Sequence, residues 1–353
     1  MSCTNPMLML VADIKNINLQ LINSLKKANW KCNFVDYKAY RLVSQESRSW
    51  ALEMLPDYVS HKLIEVPCGN CISCRLAYSK DWANRCTLEA LQYDYNYFVT
   101  LTYDDDHLKY GELGNATICK DDLDSFIHNL REKFRLKYNH VGLRYFYCQE
   151  YGDSTFRPHA HLILFNCPLP DLVDFFPQSD GSVIRQKNKM TGDLYQYSQM
   201  IKDCWPNGNI LIANCNWNTN AYVSRYILKK QKGKNAKVYT KQLGVVPPYI
   251  RMSTRPGIGL KYFENNKESL IDNPYIILPR DHKAPLISMI PRYYKKKIFI
   301  DHPDVKKEWH DKSIVSIDKD RSLLKGRQLI NVNRQIQEDK IIAAAKAFNR
   351  DVD

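Results

Sequence analysis

A short apolar run that contains two histidines constrains this chain most. Residues 159–165 read His-Ala-His-Leu-Ile-Leu-Phe and follow Arg157 and Pro158. Successive side chains of a strand point to opposite faces, so the alternation places His159 and His161 on one face. A buried strand has no structural need for two neighbouring imidazoles, whereas two imidazoles on one face can bind one divalent cation. The run therefore predicts a strand that carries a metal site.

A second segment, about sixty residues further along the chain, has the period of a helix. Tyr222 and Tyr226 are four residues apart, so both phenols are predicted to project from one helix face, with Lys229 and Lys230 near the same stripe. Next to a metal ion that polarises a phosphodiester, a phenol can attack and ammonium groups can hold the charge. Because the chain has 23 tyrosines, the alternative that one of the pair packs as a core residue stays open.

The distribution of charge indicates a polyanionic partner. The net charge is +13, and from residue 204 to residue 263 sixty residues contain no Asp or Glu but ten Lys or Arg. This segment would attract phosphate groups, although a solvated basic face is the alternative. Its cations would also favour the phenolate form of tyrosines, whose ordinary pKa is about 10. The DNA-binding residues predicted here are Arg225, Lys232, Lys234, Lys237 and Lys241.

Cysteine usage and hydropathy bear on the compartment. The chain has 11 cysteines, an odd number that does not indicate a disulfide framework, so a reducing cytosol is expected. It has no basic leader and no apolar run of about eighteen residues, so neither secretion nor membrane insertion is expected.

Three of the cysteines form a cluster just before a predicted helix. Cys68, Cys71 and Cys74 are spaced three residues apart. They could bind zinc with Cys86 as the fourth ligand, or resemble an iron–sulfur loop, but no fourth cysteine fits the ferredoxin spacing. The favoured interpretation is a packed helix start with reduced thiols, and metal binding stays the alternative.

The order of the predicted elements indicates the fold class. Gly152, Asp153 and Ser154 join two strands into a hairpin, which would bring Glu150 beside His159. The tyrosine helix is predicted to be capped by Asn218, Thr219 or Asn220. The order predicts an α+β fold, in which helices pack on an antiparallel β-sheet. Strands are predicted at 97–103, 144–150, 159–165 and 209–213, and helices at 14–29, 75–93, 120–137, 197–205 and 313–348, with irregular structure at 265–291.

Glu150, His159 and His161 then form a set of two nitrogen ligands and one oxygen ligand. Such a set with open positions suits Mg²⁺ or Mn²⁺ acting as a Lewis acid, and ligand type leaves Zn²⁺, Co²⁺ and Fe²⁺ open. A metal-dependent oxygenase with the same three ligands is one alternative, but it leaves the basic tyrosine helix unexplained. A protein that binds single strands without cutting them is another, and it leaves the histidine pair unexplained.

Four blocks of sequence occur in the order typical of one superfamily. Taken together they resemble the HUH endonucleases, and most closely the rolling-circle replication initiators of small single-stranded-DNA phages, the microviruses of gokushovirus type. Ala160 fits the position of the small residue between the two histidines. The blocks are residues 67–74, residues 98–103, Glu150 to Gly152 with Arg157 to His161, and Tyr222 to Tyr226 with Lys229 and Lys230.

The resemblance implies an activity and a set of roles. One tyrosine attacks the origin phosphate and leaves a 5′-phosphotyrosine and a free 3′-hydroxyl; the other cuts the regenerated origin, and the released strand is closed into a circle. The phosphotyrosine ester keeps the transfer potential, so joining needs no ATP. The implied residues are the ligands Glu150, His159 and His161, the nucleophiles Tyr222 and Tyr226, and Lys229 or Lys230 as a phosphate clamp.

The resemblance also implies an HUH-like palm fold and a set of partners. A single-stranded DNA origin would be linked covalently, in the cytoplasm of a bacterial host. The chain has no Gly-x-x-x-x-Gly-Lys-Ser/Thr loop, so no nucleotide cofactor is expected, and a host helicase and polymerase are expected as partners. We predict an N-terminal extension at 1–60, the catalytic domain at 61–263 and a basic, partly helical region at 264–353.

Overall fold

The computed structural model describes residues 7–35, 37–43, 47–188, 193–229, 237–281, 283–309 and 340. The chain divides into two compact units, one of Met1–Ala77 with Leu324–Asp353 and one of Tyr78–Leu323. Lys230, Lys232, Lys234 and the helices predicted at 313–348 lie outside the described residues, and so does the side chain of Lys229. The boundaries predicted at residues 60 and 263 stay predictions.

The first unit contains a four-stranded antiparallel sheet in the order β2-β3-β1-β4. Leu10, Leu25 and Trp30 lie in its core. The helix predicted at 14–29 is shorter, because the side chain of Asn18 caps it by accepting a hydrogen bond of 2.8 Å from the backbone of Leu21. The elements are β1 (Met7–Asp13), α1 (Leu19–Lys27), β2 (Lys31–Asn33), β3 (Lys38–Val43), α2 (Arg48–Glu53) and β4 (His61–Val66).

The chain then continues through helix α3 into the second unit, whose main feature is a five-stranded sheet. In chain order the remaining elements are α3 (Ile72–Ala90), β5 (Asn96–Thr102), β6 (Lys109–Tyr110), β7 (Ala116–Thr117), α4 (Lys120–Tyr138), β8 (Arg144–Tyr151), β9 (Pro158–Phe165), β10 (Phe176–Pro177), β11 (Val183–Ile184), α5 (Gln199–Cys204), β12 (Ile210–Asn214), α6 (Trp217–Lys229), a π-helical turn (Val238–Gln242), β13 (Tyr249–Met252), α7 (Leu260–Asp272), β14 (Tyr275–Leu278), β15 (Leu286–Met289) and α8 (Arg292–Asp301).

The five strands lie in the order β12-β5-β9-β8-β13, and every neighbouring pair is antiparallel. The predicted α+β fold with an antiparallel sheet is therefore confirmed. Strand β9, which carries the two histidines, is the central strand. Its position explains why its apolar residues form a nearly continuous run, since both of its faces are covered.

The two faces of this sheet pack against different helices. On one face Leu162 lies in a buried cluster with Phe126 of α4 and Ile201 of α5. On the other face Ile163 and Phe165 lie in a cluster with residues of α3 and α6, and this is the face of His161. The tyrosine helix α6 therefore lies against the histidine-bearing face, as the two sequence periods require.

The prediction of irregular structure at 265–291 is wrong. Helix α7 extends to Asp272, and β14 and β15 form an antiparallel hairpin. Ile276 and Leu278 alternate with exposed neighbours and are buried in a cluster with Phe263. Among the described residues no helix is long and apolar enough to cross a membrane.

Candidate active site

The β8–β9 hairpin brings three potential metal ligands together. Glu150 lies opposite His159 in the strand register, as predicted, and His161 follows two residues later on the same face. The Oε1 atom of Glu150 lies 3.1 Å from Nε2 of His159 and 3.8 Å from Nε2 of His161. One ligand atom from each residue lies within 4.8 Å of the other two. Glu150 is only 2% exposed, so the cluster is closed on the protein side.

Both imidazoles are oriented by contacts of their Nδ1 atoms. Nδ1 of His159 donates to the carbonyl oxygen of Arg157 at 3.2 Å, and Nδ1 of His161 lies 3.0 Å from Oγ1 of Thr100. Each Nε2 atom therefore faces Glu150. Metal-binding histidines usually have this arrangement, in which the second nitrogen is held by a protein oxygen and the first is left for the ion.

The donor set fits a divalent cation. A carboxylate buried between two imidazoles costs free energy unless positive charge compensates it. Two imidazole nitrogens and one carboxylate oxygen are ligands for Mg²⁺, Mn²⁺ and the later divalent metals. Glu150, His159 and His161 would hold such an ion between them.

Helix α6 positions the tyrosines, and its start differs from the prediction. The side-chain oxygen of Asn216 accepts a hydrogen bond of 2.9 Å from the backbone of Thr219, and the Thr219 hydroxyl accepts one of 2.9 Å from the backbone of Asn216. This reciprocal pair caps the helix. The predicted cap at Asn218, Thr219 or Asn220 is therefore wrong, because the helix begins at Trp217. The buried amide of Asn220 instead donates to Thr87 of α3 at 3.0 Å.

The two phenols project from one face of α6 towards the histidines. The hydroxyl of Tyr222 lies 3.5 Å from Nε2 of His161, and the hydroxyl of Tyr226 donates to that of Tyr222. The ring of Tyr226 stacks on His161, with centroids 5.0 Å apart and an interplanar angle of 16°. Phe98 lies nearly parallel to the same imidazole at 5.7 Å. The helix period and the strand period thus meet in one cluster.

The electrostatic setting of the tyrosines differs from the expectation. Burial raises the pKa of Tyr222 to about 12. Burial, and then the neighbouring Tyr222 and Glu150, raise the pKa of Tyr226 further above its ordinary value. Arg225 is near, with its guanidinium 5.6 Å from the ring centre of Tyr222, but burial lowers its own pKa. Among the described side chains the cations therefore do not favour the phenolate.

The described part of the basic segment does not act as one uniform surface. Lys237 and Lys241 are exposed at the π-helical turn, where they can meet a phosphate backbone. Arg251, in contrast, forms an ion pair with Asp124 of α4, which offsets its charge. A segment without acidic residues in sequence therefore has an acidic neighbour in space.

A cavity of about 140 Å³ opens beside Glu150. The ring of Tyr151 lies between those of Phe156, at 4.4 Å, and Tyr239, at 6.0 Å, both nearly parallel to it. Sequence patterns did not indicate these three aromatic residues. The cavity is lined by Glu150, Tyr151, Gly152, Asp153, Phe156, Tyr239 and Pro248.

Comparison with known proteins connects this site to a family. Residues 96–231 match the family model for the replication-associated protein ORF2. The chain is 33% identical over 259 residues to replication-associated protein ORF2 of Spiroplasma virus 4, which covers 72% of each chain. It is 34% identical over 243 residues to replication-associated protein VP4 of Bdellovibrio phage phiMH2K, covering 67% of this chain and 69% of the relative. The chain belongs to this family of replication-associated proteins.

The replication-associated proteins also include a more distant relative. Replication-associated protein ORF4 of Chlamydia phage 1 is 29% identical over 165 residues, or 47% of this chain and 38% of that one. The resemblance inferred from the four sequence blocks is thereby confirmed at the level of the family. The family match includes the three potential ligands and both tyrosines, whereas Cys68, Cys71 and Cys74 precede it. No solved structure matches the chain.

Proposed function

We propose that this replication-associated protein initiates rolling-circle replication by nicking and rejoining single-stranded DNA with a divalent cation. One observation carries the proposal. The hydroxyl of Tyr222 lies 3.5 Å from a nitrogen of His161, inside the cluster that includes His159 and Glu150. A phenol beside three potential metal ligands in a basic protein is the arrangement that attack on a phosphodiester requires.

The chemistry follows from these groups. The oxygen of a tyrosine forms a bond to phosphorus, and the bond from phosphorus to the 3′-oxygen breaks. The phenol proton leaves to solvent, and the departing oxygen takes up a proton to become a 3′-hydroxyl. A cation at Glu150, His159 and His161 would supply positive charge to the phosphate oxygens. That charge is needed, because burial raises the pKa of Tyr222 to about 12.

The pairing of the two hydroxyls supports an order of events. Tyr226 donates its hydrogen bond to the oxygen of Tyr222, and this bond favours the ionised form of Tyr222. Tyr222 is therefore the first nucleophile in this proposal, and Tyr226 takes the second cleavage. Attack of a 3′-hydroxyl on the phosphotyrosine then closes the circle without ATP, since one ester replaces another.

The surroundings of the site support a path for the DNA strand. The cavity beside Glu150 is lined by Tyr239, which lies in the same turn as the exposed Lys237 and Lys241. Aromatic rings that stack on bases and lysines that bind phosphates are the usual components of a single-strand groove. Lys229 and Lys230 stay proposed phosphate clamps, and Lys232 and Lys234 proposed DNA contacts. The proposal places the protein in the cytoplasm of a bacterial host, with a host helicase and polymerase.

A covalent adduct decides between this proposal and binding without cleavage. Labelled single strands that tile the phage genome encoding the chain would be incubated with the protein and Mn²⁺, then run on a denaturing gel. We expect one fragment to yield a protein–DNA adduct that chelator abolishes. His161→Ala should abolish the adduct and keep DNA binding, whereas Tyr138→Phe, a change at an exposed tyrosine, should keep both. DNA binding by native gel shift with no adduct on any fragment would instead support a non-catalytic single-strand-binding protein.

A further inference from the structure

The cysteine cluster in the first unit is not part of the site described above. The Sγ atoms of Cys68, Cys71 and Cys74 all lie within 4.8 Å of one another. None of the three forms a disulfide, and Cys74 is buried. Three sulfur atoms converge on one point, although the chain around them forms no regular sheet or helix before Ile72.

The backbone around Cys68 is folded towards its sulfur atom. Gly69 has a φ of +76°, a left-handed conformation that turns the chain back on itself. The backbone N–H groups of Asn70 and Cys71 consequently donate to Sγ of Cys68, at 3.4 and 3.2 Å. Amide donors directed at a sulfur atom favour the thiolate over the thiol. Packing of neutral thiols would not require this turn.

The other two cysteines lie at the start of α3. Cys71 directly precedes the helix and Cys74 lies in its first turn. The unpaired N–H groups of a helix start and the helix macrodipole stabilise negative charge there. Three thiolates within 4.8 Å of one another would repel strongly unless a cation joined them.

We infer that Cys68, Cys71 and Cys74 bind one zinc ion as thiolates. Sulfur atoms around a tetrahedral zinc at about 2.3 Å lie about 3.8 Å apart, which agrees with a group this compact. An iron–sulfur cluster, in which each cysteine binds a different iron atom, holds its cysteines further apart. Among the described residues no fourth Cys, His, Asp or Glu joins the group, so one zinc position is left for another ligand.

Cys86 is not the fourth ligand that the sequence spacing allowed. It lies twelve residues beyond Cys74 on the same helix, about 18 Å along the axis at 1.5 Å per residue. Its side chain is fully buried with Trp82 and Phe146, and burial raises the pKa of its thiol. The interpretation of the cluster as packed thiols thus gives way to a zinc site that ties the segment after β4 to the start of α3.

Cobalt substitution of the full chain tests the site separately from the histidine cluster. Thiolate ligands give Co²⁺ an intense charge-transfer absorption in the near ultraviolet, which nitrogen and oxygen ligands do not give. We expect this band in the Co²⁺-loaded protein and in the His159→Ala, His161→Ala double variant. Cys71→Ser should reduce it severalfold, whereas the matched control Cys32→Ser, a half-buried cysteine of the same unit, should leave it unchanged.

Two further measurements keep the inference testable if Cys71→Ser does not fold. The wild-type chain purified without chelator should contain about one thiolate-bound zinc. Zinc removal with a strong chelator should make three more cysteines reactive towards a maleimide, and peptide mass should map them to Cys68, Cys71 and Cys74. A cobalt complex without the thiolate band, iron with acid-labile sulfide, or maleimide labelling of the three cysteines that is the same with and without chelator would overturn the inference.

Discussion

At the scale of single residues, the site depends on the direction in which two imidazoles point. Sequence periodicity was sufficient to predict Glu150, His159 and His161, because strand alternation and a short hairpin act over neighbouring residues. It did not indicate Thr100, which orients His161 from the adjacent strand β5. That contact depends on a register between segments 61 residues apart, which local patterns do not determine.

Removal of the Thr100 hydroxyl should weaken cation binding. In Thr100→Val the Nδ1 atom of His161 loses its oxygen partner, so we expect roughly tenfold weaker binding of Mn²⁺, in the range known for such supporting residues. The matched control is Thr102→Val on the same strand, whose hydroxyl donates to the Asn209 carbonyl. Mn²⁺ titrations by calorimetry check this, and equal affinities for the two variants would contradict the role given to Thr100.

Burial of Tyr222 makes stability depend on alkaline pH. Because the pKa in the folded state is raised to about 12, the folded protein holds this proton more tightly than the unfolded chain. The contribution is complete below the unfolded value of about 10 and is lost as pH rises towards the folded value. The free energy of unfolding should therefore fall relative to that of Tyr222→Phe over this range. Urea unfolding of both proteins measures it, and a difference independent of pH would refute the burial effect.

At the scale of elements, helix α6 shows what local sequence determines and what it does not. Its existence and its outward face follow from the spacing of Tyr222 and Tyr226. Its first residue does not follow, since several Asn and Thr residues in a row can each act as a cap. Only the packed structure selects Asn216, because Asn220 is used to bond Thr87 of α3.

The capping pair gives a prediction that separates the observed cap from the predicted one. Asn216→Ala should lower the free energy of unfolding by about 1 kcal/mol, because it removes the acceptor for the backbone of Thr219. Adduct formation should also slow, since the helix start positions both tyrosines. Asn218→Ala, at an exposed position of the same turn, should change neither. Urea unfolding and adduct kinetics check both variants, and the reverse order of effects would show that Asn218 is the cap.

The π-helical turn and strand β13 give a matched pair of charge changes. The double change Lys237→Ala, Lys241→Ala should reduce the slope of log affinity against log salt by about one to two units, if both lysines bind phosphates. Arg251→Ala should reduce it by much less, because Asp124 already offsets that charge. Fluorescence anisotropy with a labelled single strand at several salt concentrations measures the slopes. An unchanged slope in the double variant would indicate a solvated basic surface.

At the scale of the whole molecule, sequence and structure agree on the central sheet and differ at its periphery. The sheet strands that carry the site were predicted because they are long, buried and regularly patterned. The first sheet was not, since its strands are as short as the three residues of β2 and give little periodicity. The hairpin of β14 and β15 was also missed, because strands of four residues are easily taken for irregular chain.

The unit that contains the site combines three properties expected of a DNA-joining initiator. It has a central sheet that carries the potential ligands, a helix that carries two phenols, and exposed lysines on a neighbouring turn. The family to which the chain belongs is defined by replication-associated proteins of small viruses and phages. The alternating use of two tyrosines connects these properties, and it is the central claim.

Adduct mapping with tyrosine variants tests that claim most directly. The origin fragment would be incubated with Mn²⁺ and Tyr222→Phe, Tyr226→Phe or the double variant, and the modified peptide identified by mass. We expect each single variant to form one adduct on its remaining tyrosine, more slowly in Tyr222→Phe, and to release no closed circles. The double variant should form none. DNA attached to any residue other than Tyr222 or Tyr226, or a single variant that releases circles like the wild type, would contradict the account.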